Sequence, residues 1–304
     1  MKTFFTLLFI ACLSTFALAQ DSKNLYTTQS LANDAISSVM VRTSAGGIHV
    51  SGESGQQPRI EVYIQGNNGQ ELTKDEIKKR LDEDYDMSIT VNNHELQATV
   101  TNKHENTNWR NQMSISFKIY VPQQVTTDLK TSGGGIHIDN LKGNENFATS
   151  GGGLEINSVN GMIRGVTSGG GIDVKNSGSD IVLTTSGGGI TAENCNGEIR
   201  LQTSGGGLQL RDLKGNIHAT TSGGGVRGSN IEGELFTTTS GGGIDLKEMN
   251  CSLDAHTSAG SLIAQMKQVG KYLRLGTSAG DIDLELPAKQ GLDLNLNAER
   301  IDQH

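Results

Sequence analysis

The sequence predicts an all-β protein whose main part is a single-stranded β-helix (β-solenoid) with 18-residue rungs. An irregular N-terminal β cap carrying one short helix precedes it. Three observations predict this fold: a fixed repeat, an alternation of apolar and polar residues, and a composition poor in large apolar residues. The 304-residue chain has 40 glycines, 34% hydrophobic residues and 4% aromatic residues. Such a composition favours a narrow core stacked many times over one wide globular core.

The repeat is the first of these observations, and it starts with the letters TSGGG. Thr-Ser pairs begin at a constant interval of 18 residues, and one more pair begins 20 residues after the last of them. The pairs begin at Thr131, Thr149, Thr167, Thr185, Thr203, Thr221, Thr239 and Thr257, and then at Thr277. Self-similarity at a fixed period of this length indicates a solenoid. A flexible glycine linker would not keep the interval.

Each repeat contains two short alternating runs, which predict two strands. Aliphatic residues of the first run include Ile136 and Ile138, Leu154 and Ile156, Ile172 and Val174, and Leu208 and Leu210. The second run contributes Ile163, Ile181, Ile199, Ile217 and Leu235. A period of two indicates a strand with one buried face. Stacking the coils about 4.8 Å apart would pair every strand with its counterpart in the next coil.

Polar and glycine positions predict the corners between the strands. We expect the glycine triplet to turn the chain sharply, with positive φ where needed. A second turn is expected at Asn140, Ser158, Asn176, Asn194, Asp212 and Asn230, and a third at Gly143, Gly161, Gly197, Gly215 and Gly233. The alternation turns one threonine row inward as an internal ladder: Thr149, Thr167, Thr185, Thr203, Thr221 and Thr239. Its hydroxyls should bond to one another or to backbone groups at the corner.

The two ends of the chain depart from the repeat. Residues 20–128 are expected to form the cap and wider rungs, with a first rung at 43–50 and alternating runs at 59–65, 86–92, 95–102 and 113–121. Thr73-Lys74-Asp75-Glu76 has the form of a capping box before a short helix whose stripe is Ile77, Leu81 and Tyr85. The regular solenoid is expected over 129–290. Residues 291–304 are expected to form a last strand, at 292–296, and a polar tail.

The N-terminus predicts export. Residues 1–19 combine Lys2, an apolar run at 4–13 and the small-residue site Ala17-Leu18-Ala19, which is typical of a signal peptide cleaved before Gln20. A lipoprotein through Cys12 is the less favoured reading, because Phe9-Ile10-Ala11 matches the required small residues poorly. No later stretch reaches the roughly 20 apolar residues of a membrane span, so no transmembrane segment is expected after signal removal. The expected location is the periplasm, the outer surface or the medium.

Charge and cysteines narrow the function further. The formal net charge is −8, and losing Lys2 with the signal peptide makes it −9. An acidic chain without basic runs is a poor candidate for nucleic-acid binding. Cys195 and Cys251 lie three coils apart, roughly 14 Å at strand spacing. A disulfide needs less than about 7 Å between Cα atoms, so we expect two unpaired, buried thiols.

The outward positions carry the candidate binding residues. His137, Glu155 and Asp173 should stack on one face, where they could form an acid/base or metal cluster. They lie on an open sheet, so a solvated polar ladder is the favoured interpretation, and no catalytic residue, metal or cofactor is expected. Trp109, in a polar loop, could stack on a sugar or a partner, or fold back onto the cap, which we favour. Lys175, Glu193 and Arg211 should form a second outward row of ion pairs.

The TSGGGI units, together with FKIYVPQQVTTDLKTSGGGIHI at residues 117–138, resemble the bacterial putative-adhesin family of unknown function. Relatives of that family share likeness with the GIN head domain of autotransporter adhesins. The resemblance covers nearly all of the chain after residue 19 and implies an exported single-stranded β-helix without established enzymatic activity. It brings no catalytic residues. The usual family pattern has Gly-Asp after Thr-Ser, where this chain has a glycine triplet.

Function is therefore expected to be that of an exported, non-enzymatic solenoid with an adhesin-like or cell-envelope scaffolding role. Its long polar faces would bind a cell-surface, glycan or envelope protein partner. The alternative is a polysaccharide-processing β-helix enzyme. Such enzymes lengthen several rung turns to wall a cleft, whereas residues 131–256 insert nothing. A third possibility is a structural part of an envelope stress or secretion assembly.

Overall fold

The computed structural model describes residues 24–55, 57–104 and 112–302. In this part of the chain it contains twenty β-strands, one α-helix and a 3₁₀ turn at Asn67–Gly69. The signal peptide expected at 1–19, with Cys12, lies outside the described residues. No helix of the described part has the length and apolarity needed to cross a membrane.

The irregular N-terminal cap contains the helix. Its elements are β1 (Leu25–Ser30), β2 (Ser38–Arg42), β3 (Ile48–Gly52), β4 (Arg59–Gly66), α1 (Lys74–Asp84), β5 (Tyr85–Asn92), β6 (Glu95–Asn102) and β7 (Met113–Val121). The expected capping box forms, because the Thr73 hydroxyl accepts from the Glu76 amide and the Glu76 carboxylate accepts from the Thr73 amide. Ile77 and Leu81 are buried. The cap and its helix confirm that part of the predicted fold.

The regular solenoid follows as a series of stacked strands. These are β8 (Thr126–Lys130), β9 (Ile136–Asp139), β10 (Lys142–Thr149), β11 (Leu154–Asn157), β12 (Asn160–Thr167), β13 (Ile172–Lys175), β14 (Gly178–Thr185), β15 (Ile190–Thr203), β16 (Leu208–Thr221), β17 (Val226–Thr239), β18 (Ile244–Thr257), β19 (Leu262–Thr277) and β20 (Ile282–Glu285). Each regular coil before β15 contains two separate strands, which we call its first and second arm. From β15 to β19 the two arms of a coil form one continuous strand. All pairings among these strands are parallel.

Register between coils follows the sequence period. Leu154 pairs with Ile136 on one side and with Ile172 on the other, so partners lie 18 residues apart. The 20-residue coil before Thr277 keeps the stack by shifting register at three places between β18 and β19. The inward residues Ile163, Ile181, Ile199, Ile217 and Leu235 each have 0% of their surface exposed. The predicted β-solenoid with a narrow continuous core is confirmed.

The second turn of each coil needs left-handed backbone. Asn140, Ser158, Asn176, Asn194, Asp212, Asn230 and Glu248 all have φ between 51° and 56°. Asn and Asp tolerate this region better than most residues with a side chain, which explains their recurrence at this corner. Neighbouring amides also bond along the row, with Asn194 Nδ2 donating to Asn176 Oδ1 at 2.7 Å.

The glycine triplets turn the chain in a different way from the one expected. No glycine of the regular triplets has φ in the left-handed region, so positive φ does not explain them. The middle glycine instead lies against the coil before it. A Cβ on Gly152 would stand 2.1 Å from the carbonyl oxygen of Gly134. Close stacking of backbone at this corner is what excludes a side chain.

The inward threonines tie these corners together. Thr203 Oγ1 donates to the carbonyl oxygen of Gly188 in the preceding coil at 2.6 Å, and it accepts from the Gly206 amide at 3.3 Å. The same bond to the middle glycine of the preceding coil is made by Thr149, Thr167, Thr185, Thr221 and Thr239. The ladder therefore bonds to corner backbone, one of the two arrangements expected.

The chain does not stack in sequence order at its N-terminal end. Strand β2 pairs with β8 on one side and β6 on the other, and β3 pairs with β9 and β7 in the same way. The coil of β2 and β3 thus lies between the first regular coil, β8 and β9, and a layer formed by β6 and β7. In the sequence, β6 and β7 come after β3 and before β8. Antiparallel pairing of β4 with β7, β1 with β4 and β5 with β6 completes this end.

The strand expected at 292–296 does not form, which corrects the sequence interpretation. The last strand ends at Glu285, and Pro287, which lacks an amide hydrogen, interrupts the chain after it. The tail instead binds the final coil through a side chain. Gln290 donates to the carbonyl of Val269 at 2.7 Å and accepts from its amide at 2.9 Å.

Cys195 and Cys251 are free and buried, as predicted. Cys195 pairs in register with Leu213, and Cys251 stands opposite Gly233. Burial raises the pKa of Cys195 and raises that of Cys251 to about 12. Thiols with such pKa values are poor nucleophiles at neutral pH.

Candidate functional site

Each regular coil has a first arm, such as β11, and a second arm, such as β12. One row of outward side chains follows the first arms from β9 to the start of β19 and continues onto β3 and β7 of the cap. Strand alternation places each between two buried neighbours; Glu155, for example, stands between Leu154 and Ile156, which are 1% and 2% exposed. We call this set the outer row: Lys118, His49, His137, Glu155, Asp173, Thr191, Gln209, Arg227, Asp245 and Ile263. The row runs along the solenoid at the strand spacing, roughly 4.8 Å per coil.

A groove runs beside the outer row, and we call it the glycine groove. It has a volume of about 910 Å³ and follows the third glycine of each triplet from Gly153 to Gly243. These glycines carry no side chain, so a trough stays open between the corner and the outer row. A second groove of about 350 Å³, lined by Lys118, His49 and His137, adjoins it and shares Gly153 and Glu155 with it.

Charge along the glycine groove is mixed. The Asp173 carboxylate lies 3.5 Å from the ammonium of Lys175, and the Asp245 carboxylate lies 3.5 Å from the ammonium of Lys247. In the second outward row Arg211 pairs with Glu193 at 3.6 Å, as expected. Lys175 turns to Asp173 on its own strand, which differs from the expected pairing with Glu193.

The structure brings His137, Glu155 and Asp173 together as consecutive members of the outer row, which confirms their predicted placement. His137 Nδ1 lies 2.8 Å from Glu155 Oε2. The binding role of these residues stays a prediction. Trp109, the fourth candidate, lies outside the described residues.

His49 and Asp139 lie next to His137, and the sequence analysis did not select either of them as a candidate. The imidazole of His49 lies edge-on to that of His137, with ring centroids 4.4 Å apart. His49 Nε2 lies 3.5 Å from Asp139 Oδ2, and the Ser51 hydroxyl donates to Asp139 Oδ1 at 3.2 Å. The repeated letters GGIH, at 46–49 and 134–137, were the available signal for His49.

The environment of Asp139 keeps its carboxylate charged. Burial opposes the charge, but hydrogen bonds from His49 and Ser51 and the nearby imidazole of His137 outweigh it, so the pKa of Asp139 is lowered. Its side chain is 19% exposed, and that of His49 is 34% exposed. The group is therefore half-buried and reachable from solvent.

The chain is similar to a known protein family over nearly all of its described residues. The model of the family Toastrack DUF4097 matches residues 36–302, which confirms the resemblance seen in the sequence. No curated protein is found to be similar to this chain.

The solved structures that are similar to this chain include the following three. A Bacteroides fragilis protein described as a putative adhesin has 14% identity and a TM-score of 0.36, with 86% of this chain and 98% of that chain covered. A putative cell adhesion protein of Clostridium sporogenes has 11% identity and a TM-score of 0.28, with 85% and 97% covered. A putative adhesin of Parabacteroides merdae has 10% identity and a TM-score of 0.33, with 86% and 97% covered.

Proposed function

The chain belongs to the Toastrack DUF4097 family, and from that premise we propose that it is an exported, non-enzymatic β-solenoid with an adhesin-like or envelope-scaffolding role. Its partner binds along the glycine groove. One observation carries the proposal: the groove is continuous over consecutive coils and is lined by the outer row. Export is supported by the signal-peptide pattern of residues 1–19.

The shape of the groove suits a long polar ligand. Side chains of the outer row repeat at the coil spacing, roughly 4.8 Å, so an extended chain lying in the groove meets a new polar group at each step. These groups include the carboxylate of Asp173, the hydroxyl of Thr191, the amide of Gln209 and the guanidinium of Arg227. Together they offer both donors and acceptors to a glycan or an extended polar polypeptide segment.

Backbone groups of the groove are already engaged in the stack. The amide of Leu154 donates to the carbonyl of Gly171, and the same bond recurs from Ile172 to Gly189. A ligand would therefore be recognised by side chains. The side chain of Glu155 is 70% exposed, and such an open position favours binding over acid/base catalysis, which gains from exclusion of water.

The test is retention of the purified protein on glycan, matrix and cell-envelope preparations. The groove variant combines Asp173→Ala, Gln209→Ala and Arg227→Ala. The control variant combines Arg164→Ala, Glu198→Ala and Gln202→Ala at exposed positions of the second arm. Each variant loses one positive charge, one negative charge and one amide, so the net charge stays the same in both. We expect the groove variant to bind at least about tenfold more weakly, a change of about 1.4 kcal/mol, while the control binds like the parent.

Failure to bind any preparation would contradict the proposal, and so would equal losses in the two variants. Glycan turnover that disappears on Glu155→Ala or Asp173→Ala would favour the enzymatic alternative. Fractionation of producing cells with surface proteolysis tests export separately, because a protein retained in the cytoplasm would contradict that part alone.

A further inference from the structure

Strands β3 and β9 bring together three metal-ligating side chains from distant parts of the sequence. His49 pairs in register with His137, and Ser51 pairs with Asp139. Among the residues that the structure describes, His49, His137 and Asp139 are the one group of three such side chains whose ligand atoms all lie within 4.8 Å of one another. We infer that these three side chains bind a divalent transition-metal ion, with Zn²⁺ as the reference ion.

The spacing of the ligand atoms suits a tetrahedral ion. Zn²⁺ binds imidazole nitrogen and carboxylate oxygen at about 2.0–2.2 Å, which places ligand atoms about 3.4 Å apart. His49 Nε2 and Asp139 Oδ2 lie 3.5 Å apart, already at that separation. The remaining separations are at most 4.8 Å, and binding of the ion requires rotation of the side chains to shorten them.

Neighbouring groups orient the three ligands. Glu155 engages Nδ1 of His137 at 2.8 Å, which leaves Nε2 as the ligand nitrogen, and metal-bound histidines commonly have such a carboxylate behind them. Ser51 holds Oδ1 of Asp139, so Oδ2 remains directed at His49. His137 and Asp139 thus each have one atom held by a neighbouring side chain and a second atom available to the ion.

The strands beneath the site are rigid. Ile48 and Val50 flank His49, and Ile136 and Ile138 flank His137; all four are at most 2% exposed. Ligands carried on packed strands are held more precisely than ligands on loops. Lys118 is the neighbour of His49 in the outer row. Its ammonium group lies over the Tyr63 ring, 4.9 Å from the ring centroid.

The ligand set selects the class of ion. Imidazole favours Zn²⁺, Cu²⁺ and Ni²⁺ over Mg²⁺ and Ca²⁺, which prefer oxygen. Three protein ligands leave one position of a tetrahedral ion for water or another donor. His49 and His137 line the second groove, so an ion held by them is reachable from that groove.

The experiment measures Zn²⁺ binding by isothermal titration calorimetry on the whole chain, produced without a polyhistidine tag. We expect one Zn²⁺ per chain and no comparable binding of Mg²⁺. His49→Ala, His137→Ala and Asp139→Asn should each weaken Zn²⁺ binding by at least about tenfold, in line with the effect of disturbing a metal site. The Co²⁺ form should show the visible absorption of a tetrahedral ion, which the same three variants lose.

The control is His256→Gln. His256 lies 2.8 Å from Asp254 and therefore forms a surface histidine–carboxylate pair; within the described part of the chain it belongs to no group of three ligating side chains. We expect this variant to bind Zn²⁺ like the parent, and circular dichroism confirms that each variant is folded. Absence of Zn²⁺ binding by the parent, equal binding by the site variants, or a loss caused by His256→Gln as large as theirs would each overturn the inference.

Discussion

Glu145 is a carboxylic acid in an inward row that is otherwise aliphatic over the next coils. It pairs in register with Ile163, and Ile163 pairs with Ile181. Its side chain is 1% exposed; Oε2 accepts from the Thr127 hydroxyl at 2.6 Å, and Oε1 has no partner among the described residues. Burial raises its pKa to about 7, although the bonds from Thr127 partly oppose the shift.

This raised pKa predicts a pH-dependent stability. Between its ordinary value of 4.5 and about 7, folded Glu145 holds a proton that the unfolded chain has released. The free energy of unfolding therefore falls as pH rises through this window and levels off above it, by about 3 kcal/mol from this group. We expect Glu145→Gln to raise stability at pH 8 and to change it little at pH 4.

Urea unfolding of the parent and of Glu145→Gln at pH 4 and pH 8 checks this. The exposed substitution Glu155→Gln is the control and should not alter the pH dependence by a comparable amount. The prediction is wrong if parent and Glu145→Gln lose the same stability between the two pH values.

At the scale of the element, the three glycines of a triplet differ in how much space surrounds them, so a side chain is excluded at some of these positions more strictly than at others. A Cβ on the middle glycine, Gly152, would lie 2.1 Å from the carbonyl oxygen of Gly134. A Cβ on the first glycine, Gly151, would meet no atom closer than 3.4 Å. Third glycines leave room for the groove.

Substitutions in one triplet should therefore differ in their effect. We expect Gly152→Ala to destabilise the protein by roughly 3 kcal/mol or more, because the stacked coils would have to separate at the corner. Gly151→Ala, the matched control, should change the free energy of unfolding by less than about 1 kcal/mol. Chemical unfolding followed by circular dichroism measures both, and similar losses would show that close stacking is not the reason for the middle glycine.

At the scale of the whole molecule, each strand of the regular solenoid pairs in register with its counterpart one coil away. The stability of such a stack is approximately a sum over coils and their interfaces. A deletion that removes one full period should therefore preserve the remaining pairings. A deletion of half a period should not, although it removes fewer residues.

Deletion of residues 204–221 joins Thr203 to Ser222 and should leave a folded solenoid shorter by about 4.8 Å. Deletion of residues 204–212 joins Thr203 to Leu213. It removes the first arm of that coil and keeps the second arm. We expect the shorter deletion to lower the melting temperature more than the longer one. Thermal unfolding checks the order, small-angle scattering checks the length, and the reverse order would contradict additive stacking.

Prediction from the sequence succeeded where interactions follow the local period. The inward faces of Ile163 and Ile181, the corner bonds of the threonines and the capping box of the helix were all expected, since each depends on neighbours a fixed interval away. The placement of His137 beside Glu155 followed from the same interval. The prediction of a strand at 292–296 was wrong, because an alternating pattern does not by itself supply a partner strand.

The amino-acid sequence was sufficient for the coil, its period, its buried residues and the separation of the two thiols, because residue i meets residue i+18 throughout the regular coils. Only the tertiary structure decided that β2 and β3 lie between β8 and β9 on one side and β6 and β7 on the other. No periodicity spans the 88 positions from His49 to His137, and which distant edges pair depends on the packing of the whole cap. The candidate metal site exists only through that packing.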